Sequence, residues 1–114
     1  DELREMQEAV RDVYVDEAVK RYIIRITDRT RNHDGIYLGA SPRASIALMK
    51  AGQAYAFMQN RSFVLPDDIK YLALYALPHR IILTTDAKLS NITNEKIVKQ
   101  IIDQITVPAG KEMR

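Results

Sequence analysis

Gly39-Ala40-Ser41-Pro42-Arg43-Ala44-Ser45 marks the start of the helix around which the other segments of this chain arrange themselves. A serine can accept a hydrogen bond from the free amides of a starting helix, and proline suits the first helical position, where its missing N–H has no intrahelical partner. Ser41 and Pro42 therefore specify helix entry. Arg43 follows in the first turn, where a cation opposes the partial positive charge of the helix N-terminus. Unless it extends into water, this guanidinium calls for an anion, and five fixed donors beside a helix start form a cradle suited to phosphate.

The helix so begun runs from Pro42 to about Gln59. Ala44, Ala47, Leu48, Ala51, Ala54, Tyr55 and Met58 lie along one side, with Ile46, Ala56 and Phe57 elsewhere. Apolar over most of its circumference, it is expected to run through the middle of a bundle, with its alanines and Gly52 permitting close approach by neighbours.

Upstream, Leu3, Met6, Ala9, Val10 and Val13 recur at helical spacing and predict an amphipathic helix from Glu2 to about Asp12. Val13-Tyr14-Val15 then reads as extended, and Asp16 offers a cap for a second helix from Glu17 to about His33. Ala18, Val19, Tyr22, Ile23, Ile26 and Thr30 form its buried side. Arg21, Arg25 and Arg29 make a ridge on another face, read first as solvated and second as a contact for phosphates or an acidic neighbour. Gly35 is expected to close this helix in a left-handed conformation, with His33 a helix-end residue. Tyr37, between Ile36 and Leu38, is expected to be a partly buried packing residue.

Downstream, Arg61-Ser62-Phe63-Val64 reads as a brief extended segment able to pair with Val13-Tyr14-Val15 in a minimal two-stranded element. Leu65-Pro66-Asp67-Asp68 starts the next helix, with both acids favoured by the dipole and Ile69, Leu72, Ala73 and Ala76 facing inward. Leu77-Pro78 ends it, and His79-Arg80-Ile81-Ile82-Leu83 is a short, partly helical segment. Residues 84–92 read as a polar loop. Thr93 caps a last helix from Asn94 to about Ile105, with Ile97, Ile101, Ile102 and Ile105 on one face. The fold class is all-α: a small bundle of about five helices across residues 1–107, with room for one minimal two-stranded β element, followed by a flexible tail over residues 108–114.

A length of 114 residues fits one domain, and 46% hydrophobic with 28% charged residues is the balance of an ordinary globular protein. The absence of cysteine rules out a disulfide scaffold, Cys-based zinc and thiol chemistry, and it fits a cytoplasmic location. No apolar run approaches the roughly 20 residues needed to cross a bilayer. A net charge of +2 from 17 basic and 15 acidic residues makes nucleic acid an unpromising partner. The chain has no G-x-x-x-x-G-K-[ST] phosphate loop and no Ser/His/Asp set with supporting glycine turns, so it is not expected to hydrolyse anything by itself.

Three ordered segments carry a family resemblance: Gly39-Ala40-Ser41-Pro42-Arg43-Ala44, then Arg61-Ser62-Phe63-Val64-Leu65-Pro66-Asp67-Asp68-Ile69, then Leu77-Pro78-His79-Arg80-Ile81-Ile82-Leu83. Together they resemble the C-terminal lid domain of MoxR-type AAA+ ATPases. The resemblance implies that Arg43 is the sensor 2 arginine, with Ser41 and Ala40 beside it at the nucleotide, and it leaves Arg80 a role without naming one. It further implies a separate α/β domain in the same chain of a larger ATPase, which brings the phosphate loop and holds ATP and Mg2+. Neighbouring subunits in a ring, commonly a hexamer, and chaperone-like remodelling of partners that often carry von Willebrand A-type domains complete the implied setting. This chain would then be an excised piece of the larger protein. The alternatives are a helical nucleic-acid-binding module using Arg21, Arg25 and Arg29, or a plain protein-interaction bundle.

Overall fold

The computed structural model describes residues 1–108. Six α-helices follow in order: α1 (Glu2–Arg11), α2 (Glu17–Arg31), α3 (Pro42–Met58), α4 (Pro66–Ala76), α5 (Thr85–Leu89) and α6 (Asn94–Gln104). Two short strands, β1 (Ile36–Leu38) and β2 (Ile82–Leu83), and a 3-10 turn over Leu77–Arg80 complete the described residues. Of the expected tail over residues 108–114, all but Pro108 lies outside them. The body measures 50 × 34 × 20 Å, and its least dimension is that of two helix layers.

Local chemistry accounts for most of the helix starts. Asp16 Oδ2 accepts from the Ala18 amide at 3.0 Å, and Thr93 Oγ1 accepts from the Lys96 amide at 3.1 Å. Each satisfies one of the amides that a helix leaves without an internal partner. The same device builds α5, which was expected as loop: Thr84 Oγ1 accepts from Ala87 N at 3.1 Å. Five residues are too few to show a helical period, so only the cap could have revealed this helix.

The core gathers Val19, Tyr22, Ile23 and Ile26 of α2 with Ile69 and Ala73 of α4 and Ile97, Val98, Ile101 and Ile102 of α6, all nearly or wholly buried. Helix α3 packs on α1, α2 and α4, but through one face only. Ala44, Leu48, Gly52, Gln53 and Ala56 are buried, whereas Ala51 is exposed and Ile46 and Met58 are 52% and 75% exposed. The inward face is therefore rotated from the expected alanine stripe, and α3 flanks the core instead of threading it. Two contacts set the rotation. A Cβ on Gly52 would stand 2.8 Å from Ile69 Cδ1, so the Ile69 side chain lies directly on the bare glycine backbone. Gln53 Nε2 donates to the Arg11 and Val13 carbonyls at 3.2 and 2.9 Å, fastening the end of α1.

The expected pairing of the Arg61–Val64 segment with Val13–Val15 is present, reduced to one bridge, and a second pairing lies elsewhere. Tyr14 and Phe63 form a single parallel bridge, with Tyr14 N to Ser62 O and Val64 N to Tyr14 O both 2.9 Å. The two-stranded antiparallel sheet is instead β1 with β2, pairing Ile36 with Leu83 and Leu38 with Ile82. Ile36 and Leu83 point into the core, and Tyr37, at 79% exposure, points into solvent instead of packing. Gly35 has no positive φ; among the described residues the left-handed ones are Asn60 (φ 59°) and Asn91 (φ 60°). Helix α2 has already ended at Arg31, and His33 Nδ1 accepts from the Gly35 amide at 2.9 Å in the turn that follows.

Tyr22 is fully buried, and its hydroxyl finds no hydrogen-bond partner among the described residues. A buried hydroxyl left unpaired costs about 1–3 kcal/mol. Burial, and next the charge of Asp67, push its pKa up to about 12. An unfolded chain releases that proton near the ordinary value of 10.0, so between about pH 10 and 12 the unfolded state binds fewer protons and stability falls as pH rises. Tyr22→Phe is expected to hold or raise the melting temperature at neutral pH and to flatten this alkaline limb. Thermal unfolding of both proteins from pH 7 to 12 measures it, and a clear drop at pH 7 would mean that the hydroxyl is bonded.

Candidate functional site

The Gly39–Ser45 segment is pressed against the end of α2. A Cβ on Gly39 would lie 2.6 Å from the Thr30 carbonyl oxygen and 2.7 Å from Arg31 N, both backbone atoms, so no side chain fits there. Ala40 is 1% exposed and both its backbone groups are engaged. Its N–H donates to Thr30 Oγ1 at 2.9 Å, and its carbonyl accepts from Arg31 Nε at 2.8 Å. Thr30 Oγ1 in turn donates to the Thr27 carbonyl at 2.6 Å, and Thr27 Oγ1 lies 2.8 Å from Ser45 Oγ in the next helix. Arg31 is oriented by an ion pair with Asp28.

From this anchored base the chain turns outward. Ser41, Pro42 and Arg43 are all exposed. Ser41 occupies the capping position of α3 with extended backbone, yet its hydroxyl caps nothing; the expected side-chain bond is replaced by Ala44 N–H donating to the Ser41 carbonyl at 2.9 Å. The first turn of α3 contains no acidic residue. Among the described residues Arg43 takes part in none of the ion pairs, which join Lys20 to Glu17, Arg31 to Asp28, Arg61 to Asp68 and Lys99 to Asp103. An exposed guanidinium thus stands at an open, positively polarised helix end, and the backbone that carries it is held on both sides by α2. Such a constellation can receive an anion with several oxygens.

The other candidates have structural explanations or none. Arg21, Arg25 and Arg29 are exposed along α2, and Arg29 Nη1 donates to the Asn32 carbonyl at the helix end, 3.0 Å away. Arg80 is exposed at the end of the 3-10 turn. Asp67 and Asp68 occupy the first turn of α4 as expected, and Asp68 also receives both Nη atoms of Arg61, whose pKa those hydrogen bonds push up. No group of three or more His, Asp or Glu among the described residues could hold a metal ion, and no helix there is long and apolar enough to cross a membrane.

Residues 28–101 match the family model described as "AAA lid domain". The chain is an AAA lid domain. The matched span holds the whole Gly39–Ser45 segment and its α2 partners Thr30 and Arg31, though not Thr27, and it includes Arg61, Asp68 and Arg80. The lid is 48% identical over 106 residues to YeaC of Bacillus subtilis, a protein of uncharacterised role, covering 93% of the lid and 33% of that relative. It is 28% identical over 116 residues to the chaperone MoxR1 of Mycobacterium tuberculosis, covering 94% of the lid and 31% of the chaperone. A crystal structure of a candidate ATPase from Cytophaga hutchinsonii superposes with a TM-score of 0.83 at 32% identity, covering 90% of the lid and 34% of that chain. The lid therefore spans about a third of the length of the proteins it matches. The sequence places Thr30 on a buried helix face and Gly39 at the head of the motif but gives neither a part in holding the Arg43 segment, and it offers no sign of Thr27 or Arg31 beyond two threonines three apart on a helix.

Proposed function

We propose that this lid is the nucleotide-sensing part of a MoxR-type AAA+ ATPase, with Arg43 as its sensor 2 arginine meeting the γ-phosphate of ATP held by an α/β domain of the same chain. The observation that supports this reading most is the exposed guanidinium of Arg43 at an uncapped helix start, in a domain of the AAA lid family. Ser41 borders the same opening and Ala40 fixes it from below. Charge-assisted contacts to a phosphoryl group are strong when desolvated and vanish when the group leaves, so the orientation of the lid would follow the nucleotide state. The nucleotide-binding domain in this reading also supplies the ligands of the magnesium that accompanies ATP. In this reading the parent protein assembles as a ring in the cytoplasm, and lid rotation becomes chaperone-like remodelling of protein partners, including those with von Willebrand A-type domains. Likeness to a protein named as a chaperone supports that assignment.

The test is nucleotide affinity in the full-length protein. Arg43→Gln is expected to weaken ATP binding by about 10-fold or more, the worth of one hydrogen bond to a charged group, and to leave ADP binding unchanged. Equal losses for the two nucleotides, or none, would count against a γ-phosphate contact.

A further inference from the structure

Among the described residues Arg43 takes part in no side-chain hydrogen bond or ion pair. Its side chain is exposed, the Ser41 hydroxyl does not cap its helix, and the segment before it is not helical, so the backbone alone decides where the guanidinium stands. That backbone is held at two points, three residues before Arg43 and two residues after it. Both attachments are to the last two turns of α2. At the first, the Ala40 peptide is gripped from both sides by adjacent residues, Thr30 Oγ1 at its N–H (2.9 Å) and Arg31 Nε at its carbonyl (2.8 Å). At the second, Ser45 Oγ meets Thr27 Oγ1 at 2.8 Å.

We propose that Thr30 and Arg31 are positioning residues for nucleotide sensing: by clamping the Ala40 peptide to the end of α2, they fix the place at which the Arg43 guanidinium meets the nucleotide. The inference rests on the sensor reading of Arg43. Neither residue touches the nucleotide in this scheme. Two features make the clamp selective for these side chains. Thr30 is fully buried, and its hydroxyl uses one lone pair for Ala40 and its proton for the Thr27 carbonyl, an arrangement that serine can reproduce and valine cannot. The Gly39 backbone approaches α2 too closely for any side chain, so the segment lies flat on the helix only while this contact is kept. A guanidinium displaced by as little as about 1 Å from a productive position costs on the order of 10²-fold in well-positioned reactions.

The experiment compares Thr30→Val, Thr30→Ser and Arg31→Met in the full-length protein, measuring ATP and ADP affinities with the melting temperature recorded alongside. Thr30→Val and Arg31→Met are expected to lower the ATP-over-ADP preference at least about fivefold, with ADP affinity held, and Thr30→Ser is expected to restore it. Combined with Arg43→Ala, neither should lower the preference further, because the clamp acts only through that arginine. Should Thr30→Val fail to fold, Arg31→Met decides alone, since that side chain is 35% exposed and can be shortened without opening the core. Folded variants that keep the full ATP-over-ADP preference, or losses that add to that of Arg43→Ala, overturn the inference while leaving the sensor reading intact. An unchanged preference in Arg43→Ala itself overturns both.

Discussion

If Arg43 is the proposed sensor, replacing it by alanine in the full-length protein is expected to lower ATP turnover by about 10²-fold, the cost of removing one preorganised donor from developing charge, while the melting temperature stays where it was. The two halves of this expectation have one origin. An exposed side chain with no ion pair among the described residues contributes little to folding, so its loss should be silent in unfolding experiments. The same exposure leaves it available to a phosphoryl group presented by another domain. Arg43→Lys separates charge from geometry: it keeps the positive charge but loses the planar fork that matches a phosphoryl group, and it should recover only part of the rate. Steady-state turnover at saturating ATP is the measurement, and a rate within about twofold of wild type for the alanine variant would argue against the assignment.

Arg61→Met is expected to do the reverse, damaging the fold without touching the nucleotide. The Asp68 carboxylate, 5% exposed, receives Arg61 Nη1 and Nη2 at 2.7 Å each and the Leu65 amide at 2.8 Å. Arg61 Nη1 also donates to the Phe63 carbonyl at 3.2 Å, so one ion pair closes the whole connection between α3 and α4. Removing the guanidinium strands a buried charge, and stability should fall by about 2–4 kcal/mol, or by at least about 8 °C in melting temperature. Adding Asp68→Asn to Arg61→Met removes the stranded charge and should return part of the loss. A single variant melting within a degree or two of wild type would show that water already neutralises Asp68 in the native protein.

The helices were legible because their apolar residues repeat. The predicted inner faces of α2 and α6 are buried where expected, from Ala18 and Val19 to Ile101 and Ile102. Where nearly every residue is apolar the period carries no information, and the face of α3 was misjudged for that reason. Its inward side is set by a polar residue, Gln53, whose partners Arg11 and Val13 lie about forty positions away. The β1–β2 sheet escaped for a similar reason, since strands of three and two residues that lie far apart in the sequence carry no local signature. Gly35 reads as a helix stop and Tyr37 as a packing residue between two aliphatics, and neighbours decide otherwise: Ile97 packs so near Gly35 that a Cβ there would lie 2.9 Å from its Cδ1, and in β1 only Ile36 is buried, with Tyr37 and Leu38 both exposed. For the candidate site, the tripeptide Ser41-Pro42-Arg43 marked the helix start and its arginine in advance. The clamp of Thr30 and Arg31 and the Thr27–Ser45 contact could not be read, because they join the end of one helix to the start of the next through hydroxyls and a peptide group that any sequence contains.

A structure of the full-length protein with a non-hydrolysable ATP analogue addresses the central assignment most directly. The account places an Arg43 guanidinium nitrogen about 2.7–2.9 Å from a γ-phosphate oxygen, with the Ala40 peptide still held by Thr30 and Arg31. An Arg43 side chain turned to solvent, or paired with a carboxylate of the neighbouring domain while the nucleotide is bound, would contradict it.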